Sequence, residues 1–201
     1  MGFDAIHLML NPPKAGLPPF RSVLLRRALF RLYCRFTSWE RSIDVFQAEG
    51  KKVIQLVRRL APNAFQEMVQ IKPVWGIESS PCCWSAALVL EHLIEVGARI
   101  AIVVVELSRG ENPSVQTELT DAQPRGGLGA QLITDYTAFL DDYADTLSED
   151  VGDRGSRLTH PHPWLGELTA HHWACVATVH QAIHRRQVER IVAGLQKQAG
   201  D

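Results

Sequence analysis

The 28 residues from Thr169 to Gln196, TAHHWACVATVHQAIHRRQVERIVAGLQ, decide the fold. Trp173, Val176, Ala177, His180, Ile183, His184, Val188 and Ile191 recur at spacings of three and four, which is the period of one helical face. Thr169 stands at the start as a hydroxyl cap. A helix of this length with one broad apolar stripe needs other helices to pack against.

The rest of the chain supplies them. Phe20 opens a first pattern through Val23, Leu24, Arg27, Ala28, Arg31 and Leu32. Ser38 opens a second as N-cap, with Ile43, Phe46, Val53, Leu56, Val57 and Leu60 on its stripe, Gly50 as a candidate break or bend, and Pro62 as its end. Ser79-Ser80-Pro81 reads as the start of a third, carried through Trp84, Leu88, Glu91, His92, Glu95 and Arg99 to about Ser108. Inside it the β-branched run Ile100–Val105 taken alone suggests a strand. No turn residue except Gly97 separates it from the helical pattern, so the helix is continued. A fourth spans about Ala130 to Leu147, with Leu132, Tyr136, Phe139, Leu140 and Tyr143 on its apolar face. Connectors rich in proline and glycine lie at 61–79 and 110–129, and a polar loop at 152–162. The expected fold is all-α, a four-helix bundle with long crossover connections and no strand. Residues 1–19, with Pro12, Pro13, Gly16, Pro18 and Pro19 as breakers, read as an irregular extension, and 20–198 as a single domain.

Composition narrows the function. Apolar residues make up 46% and charged residues 21%, a globular balance. Lys+Arg 21 against Asp+Glu 22 leaves a net charge of -1, so no global basic field points to nucleic acid or an acidic membrane. The longest apolar run, Ile100–Val105, is far short of the ~20 residues of a spanning helix. No basic segment precedes Ala5–Leu10, so a signal peptide is not expected. Cys34, Cys82, Cys83 and Cys175 match no zinc-knuckle spacing and read as reduced thiols of a cytoplasmic protein. Cys82 and Cys83 read as small hydrophobes near a helix start.

The chain holds eight histidines. His180 and His184 lie four apart on the inward stripe, so both rings can reach one metal ion. A third ligand must come from another helix, and His92, beside Leu88, Leu93 and Val96, is the best candidate. Three imidazoles leave coordination positions open, where a bound water or thiol has a lowered pKa. Such a set suits zinc, nickel, copper or iron. Gln181, Ala182 and Ile183 stand between the two histidines, without the glutamate of a zincin, which disfavours a metalloprotease. From spacing alone, a metal-free reading in which the histidines are hydrogen-bonded core residues stays open.

Two segments carry a resemblance. Trp84-Ser85-Ala86-Ala87-Leu88-Val89-Leu90-Glu91-His92-Leu93 resembles the second-helix signature of the DinB/YfiT-like superfamily. So does His162-Pro163-Trp164-Leu165-Gly166-Glu167-Leu168-Thr169, leading into His180-x-x-x-His184-x-x-Gln187. The resemblance runs over roughly residues 24 to 192 and implies a four-helix bundle with a metal on His92, His180 and His184. It also implies a divalent ion (Ni, Zn or Fe), a small-molecule substrate and, for some members, a low-molecular-weight thiol used in transfer or isomerisation. Members are often homodimers.

The remaining candidates carry two readings each. His162 orders the loop before the last helix or supports the metal ligands; His160 is incidental; His171 and His172 are boundary residues, too far from His180 to share its site. Trp164 and Trp173 read as packing residues. Gln187 and Glu91 are either partners of the ligands or solvated helix residues. Arg26, Arg27, Arg31 and Arg35, with Leu29, Phe30, Leu32 and Phe36, make a basic amphipathic helix. It either meets an anionic partner or pairs with acids such as Asp141, Asp142 and Asp145, and the net charge favours the second. The competing reading of the whole chain is a non-catalytic bundle with a structural metal or none.

Overall fold

The computed structural model describes residues 20–72, 74, 83–115 and 124–198. The proposed extension at 1–19, Cys82 and the Ser79-Ser80-Pro81 signal lie outside them. The described residues hold five α-helices: α1 (Phe20–Phe36), α2 (Trp39–Val57), α3 (Ala86–Ser108), α4 (Gln131–Asp145) and α5 (Ala170–Gln198). Helices α2 to α5 form a four-helix bundle. Both α2 and α3 pack along α5 on one side and α4 on the other, while α1 lies against the outside of α5.

Caps set two of the helix starts. Ser38 accepts the Arg41 N–H at 3.1 Å, and Ser85 accepts the Leu88 N–H at 3.2 Å. Each such cap stabilises a helix by about 1 kcal/mol. The start of α3 therefore falls at Ala86, not at Ser79-Ser80-Pro81, because Ser85 directly adjoins the buried stripe. The run Ile100–Val105 is helical, as the continuous pattern requires. β-Branched residues disfavour a helix by at most ~0.7 kcal/mol each. Burial of Ile100, Val103, Val104 and Val105 returns about 1.5–3 kcal/mol per large side chain, so packing overrides propensity.

The expectation of no strands is corrected. Val69–Gln70 (β1) pairs antiparallel with Cys83–Trp84 (β2), and His160–His162 (β3) with Gly166–Leu168 (β4). Strands of two or three residues are too short to show alternation. The second pair is a hairpin folded over the N-terminal end of α5. Its return strand begins at Gly166, whose φ of +78° is the left-handed conformation that glycine adopts freely.

Gly50 does not break or bend its helix; α2 runs through it. Its missing side chain lets α2 approach α4, since a Cβ there would collide with the Leu140 methyls and lie 3.0 Å from Gln181 Nε2. Helix α1 also departs from expectation. Phe30 and Cys34 face inward, while Leu25, Leu29, Leu32 and Phe36 are exposed. Two of its arginines reach backbone: Arg27 Nε donates to Trp164 O at 2.9 Å and Arg31 Nη2 to Glu167 O at 2.6 Å. Among the described residues no helix is long and apolar enough to cross a membrane.

Candidate metal centre

His92 comes from α3 and His180 and His184 from α5, two helices in direct contact. The stripe of α5 buries Ala177, Val188 and Ile191 on the face that carries the two histidines. Two internal hydrogen bonds hold that face in place. Tyr33 Oη and Thr178 Oγ1 are 2.8 Å apart, and Gln181 Nε2 donates to Tyr136 Oη on α4.

The three rings converge. Centroids are 5.2 Å apart for His92 and His180, 4.8 Å for His92 and His184, and 4.4 Å for His180 and His184. One ring nitrogen from each lies within 4.8 Å of the other two. His92 and His184 are buried, and His180 is half-buried. Trp84 closes another side, edge-on to His92 with centroids 6.0 Å apart.

Tautomers follow from the partners. His184 Nδ1 lies 2.7 Å from Gln187 Oε1, an acceptor, so Nδ1 carries the proton and the Nε2 lone pair is free. His92 Nε2 and His180 Nε2 are 3.2 Å apart, so at most one of them is protonated there. Burial, reinforced by neighbouring imidazoles, holds His180 well below the ordinary histidine range. The same causes, burial first and then His92, lower His184 to about 3. At neutral pH both rings are uncharged, the form in which imidazole binds metal. The His92–His180 separation of 3.2 Å is close to the ~3.3 Å between two nitrogens each bound tetrahedrally at ~2.05 Å. The residues present therefore fit a divalent ion.

The other histidines are elsewhere. His162 is buried in the hairpin, where its Nδ1 accepts N–H from Trp164 at 3.2 Å and Leu165 at 3.3 Å. It orders the loop before α5, as expected. Burial lowers it to about 4. His160 contributes its carbonyl to Trp173 Nε1 at 3.3 Å, and Trp173 is buried in the core. His171 Nε2 donates to Thr37 O at 2.8 Å, and His172 lies against Arg31. Neither joins the cluster.

Of the two expected partners, Gln187 is buried against His184, whereas Glu91 serves the connector to α4. Its carboxylate accepts N–H from Arg125 at 2.7 Å and Gly126 at 3.0 Å. The Gln181–Tyr136 bond was not foreseen from sequence. A glutamine beside His180 in an apolar stripe is the signal that marks it.

No family model and no curated protein matches the chain. Among solved structures the chain is similar to TT2238, a four-helix bundle protein, at 22% identity and a TM-score of 0.49, over 76% of this chain and 98% of that one.

Proposed function

We propose that this chain is a metal-dependent enzyme of the DinB-like type, with a divalent Ni, Zn or Fe ion held by His92, His180 and His184 and a small electrophilic molecule as substrate. The observation that carries the reading is the convergence of three ring nitrogens from two helices within 4.8 Å, with no carboxylate in the cluster among the described residues. The motifs around His92 and before α5 add the family resemblance. A bound ion supplies a Lewis acid that holds a thiol or water as its anion at neutral pH. The chain's own residues do the rest. Gln187 fixes the His184 tautomer, Trp84 closes one side, and His180, the one ligand of the three that is not fully buried, is the side from which substrate would approach. The reaction is a thiol-dependent S-transfer, an isomerisation or a hydrolysis.

One observation favours the competing reading of a non-catalytic bundle. The His92–His180 contact is itself an N–H···N hydrogen bond that occupies Nε2 of both rings without an ion. Elemental analysis of protein purified without chelator separates the two, followed by assays of transfer from several low-molecular-weight thiols to electrophilic acceptors. About one metal per chain and turnover that is lost in His184→Ala supports the enzyme. Less than a tenth of a metal per chain, even after reconstitution, removes it. Metal that raises the melting temperature with no turnover for any thiol favours the structural reading.

A further inference from the structure

The apolar side of α1 points away from the bundle. Leu25, Leu29, Leu32 and Phe36 follow one another at spacings of four, three and four, so they share one side of the helix. Each is more than half exposed, and Phe36 is 78% exposed. Phe30 and Cys34 hold the opposite side against the bundle, and both are buried. A helix that served only the core would turn its long apolar side chains inward. Here a continuous row of them stands outward, the kind of surface that marks an interaction site.

The charge of this helix is one-sided too. It carries Arg21, Arg26, Arg27, Arg31 and Arg35 and no aspartate or glutamate. Arg27 and Arg31 anchor α1 to the carbonyls of Trp164 and Glu167. Arg31 and Arg35 also line a cavity of about 660 Å³ between α1 and the start of α5, with Thr37, His171 and His172. Phe36, the last member of the apolar row, lines it as well. Among the described residues no carboxylate does. A cationic cavity therefore shares an edge with the apolar row, and together they suit an anion that brings an apolar body with it.

Charge complementarity selects the occupant. A second copy would bring the arginines of one α1 against those of the other, and like charges facing each other oppose association. A standard protein interface also takes ~20–30 residues from each side, whereas this row is one helix wide. The surface of a bilayer containing anionic lipid needs no matching relief. It takes a helix whose apolar side sinks ~5–10 Å toward the acyl chains while arginines on its flank meet phosphates.

We propose that α1 docks the protein on anionic phospholipid membranes, with Leu25, Leu29, Leu32 and Phe36 at the acyl boundary and a lipid phosphate in the cavity walled by Arg31 and Arg35. The bundle stays on the water side, because Phe30 and Cys34 fix which side of α1 faces it. The whole chain has a net charge of -1, so the attraction is confined to this helix and is screened by salt. The docking does not depend on a metal at the three-histidine cluster.

Flotation of the full chain with lipid vesicles tests this. The expected result is binding to an equimolar mixture of phosphatidylcholine and phosphatidylserine, far weaker binding to phosphatidylcholine alone, and release by high salt. Arg35→Gln should weaken binding about fivefold, the worth of one charge near such a surface. Leu29→Gln combined with Leu32→Gln should weaken it about tenfold or more. All three side chains are exposed, so the variants should melt with wild type, which separates lost binding from lost folding. Absence of binding to the mixed vesicles overturns the proposal. So does binding that the paired leucine substitutions leave unchanged, which is adsorption by charge alone. Two further results overturn it when vesicle binding is absent. A dimer in gel filtration that the leucine substitutions dissociate assigns the row to a second copy. Saturable binding of inorganic phosphate that Arg35→Gln weakens, read by isothermal titration, assigns the cavity to a soluble anion.

Discussion

His184 donates its Nδ1–H to Gln187 Oε1 at 2.7 Å, one turn along the same helix. Both side chains are buried, so this bond is not exchanged for one to water. It leaves the Nε2 lone pair of His184 directed at His92 and His180. A neutral imidazole without such a partner divides its proton between two nitrogens and turns about its own axis. Partners of this kind typically change metal affinity by ~10–100-fold. Gln187→Leu should weaken metal binding by about that factor while leaving the helical circular dichroism unchanged. Gln187→Glu, which keeps the acceptor, should lose far less. Equal losses in the two variants, read by competition with a chromogenic chelator, would mean that Gln187 acts through packing.

Ligand identity is a separate prediction. His180→Ala and His184→Ala should each cost more than the ~100-fold that bounds the effect of a supporting residue. His160→Ala and His171→Ala should leave metal affinity unchanged, because their side chains lie outside the cluster. Isothermal titration with the same ion across all four variants checks this. Equal losses from the four would show that the wrong histidines have been grouped.

How much of this was legible in the residues depends on the length scale of each signal. The helices are readable because the spacing of three and four recurs over several turns in each, and His180 and His184 because a spacing of four is local. His92 could only be nominated from its apolar neighbours, since sequence spacing carries no information on which helices touch. The hairpin before α5 was missed because His160–His162 and Gly166–Leu168 are too short to alternate. For the arginines of α1 the net charge favours pairing with carboxylates, because charge suggests charge. In the fold Arg27 and Arg31 instead satisfy the carbonyls of Trp164 and Glu167, and backbone acceptors leave no mark in a sequence. In the sequence Gly50 looks like a break or bend because its reason, the approach of Leu140 from α4, lies 90 residues away.

Gly50 offers a stability test with opposing terms. Replacement by alanine gains ~1 kcal/mol of helix propensity. It also drives a methyl into Leu140, a side chain only 1% exposed, with Gln181 close behind. Overpacking of this kind costs ~1–3 kcal/mol, so the net expectation is a loss of about 1 kcal/mol. Urea denaturation of Gly50→Ala should show a lower midpoint at unchanged slope. A stabilisation of similar size would mean that Leu140 finds another rotamer and that α2 and α4 are not closely packed there.

The hairpin predicts a pH dependence whose sign is fixed by His162. Burial lowers this histidine to about 4, from an ordinary value of 6.5. Between those values the unfolded chain holds one proton that the folded chain does not. Stability contributed by the neutral ring is therefore complete above the unfolded value and falls as the pH drops. The loss is spread over the window from about 6.5 to about 4 and levels off below it. At ~1.4 kcal/mol per pH unit for one proton the total is of order 3 kcal/mol. His162→Asn keeps an acceptor for the N–H groups of Trp164 and Leu165 but has nothing to titrate. Its stability should therefore depend on pH less steeply than wild type, by about one proton in that window, when both are unfolded in urea with chelator present. The buried His184 contributes equally to the two proteins and cancels in the comparison, and His180, which His162 holds down only as the last of its causes, nearly does. Parallel curves would mean that the His162 ring is protonated in the folded hairpin, and that its Nδ1 does not accept the two backbone N–H groups of the turn.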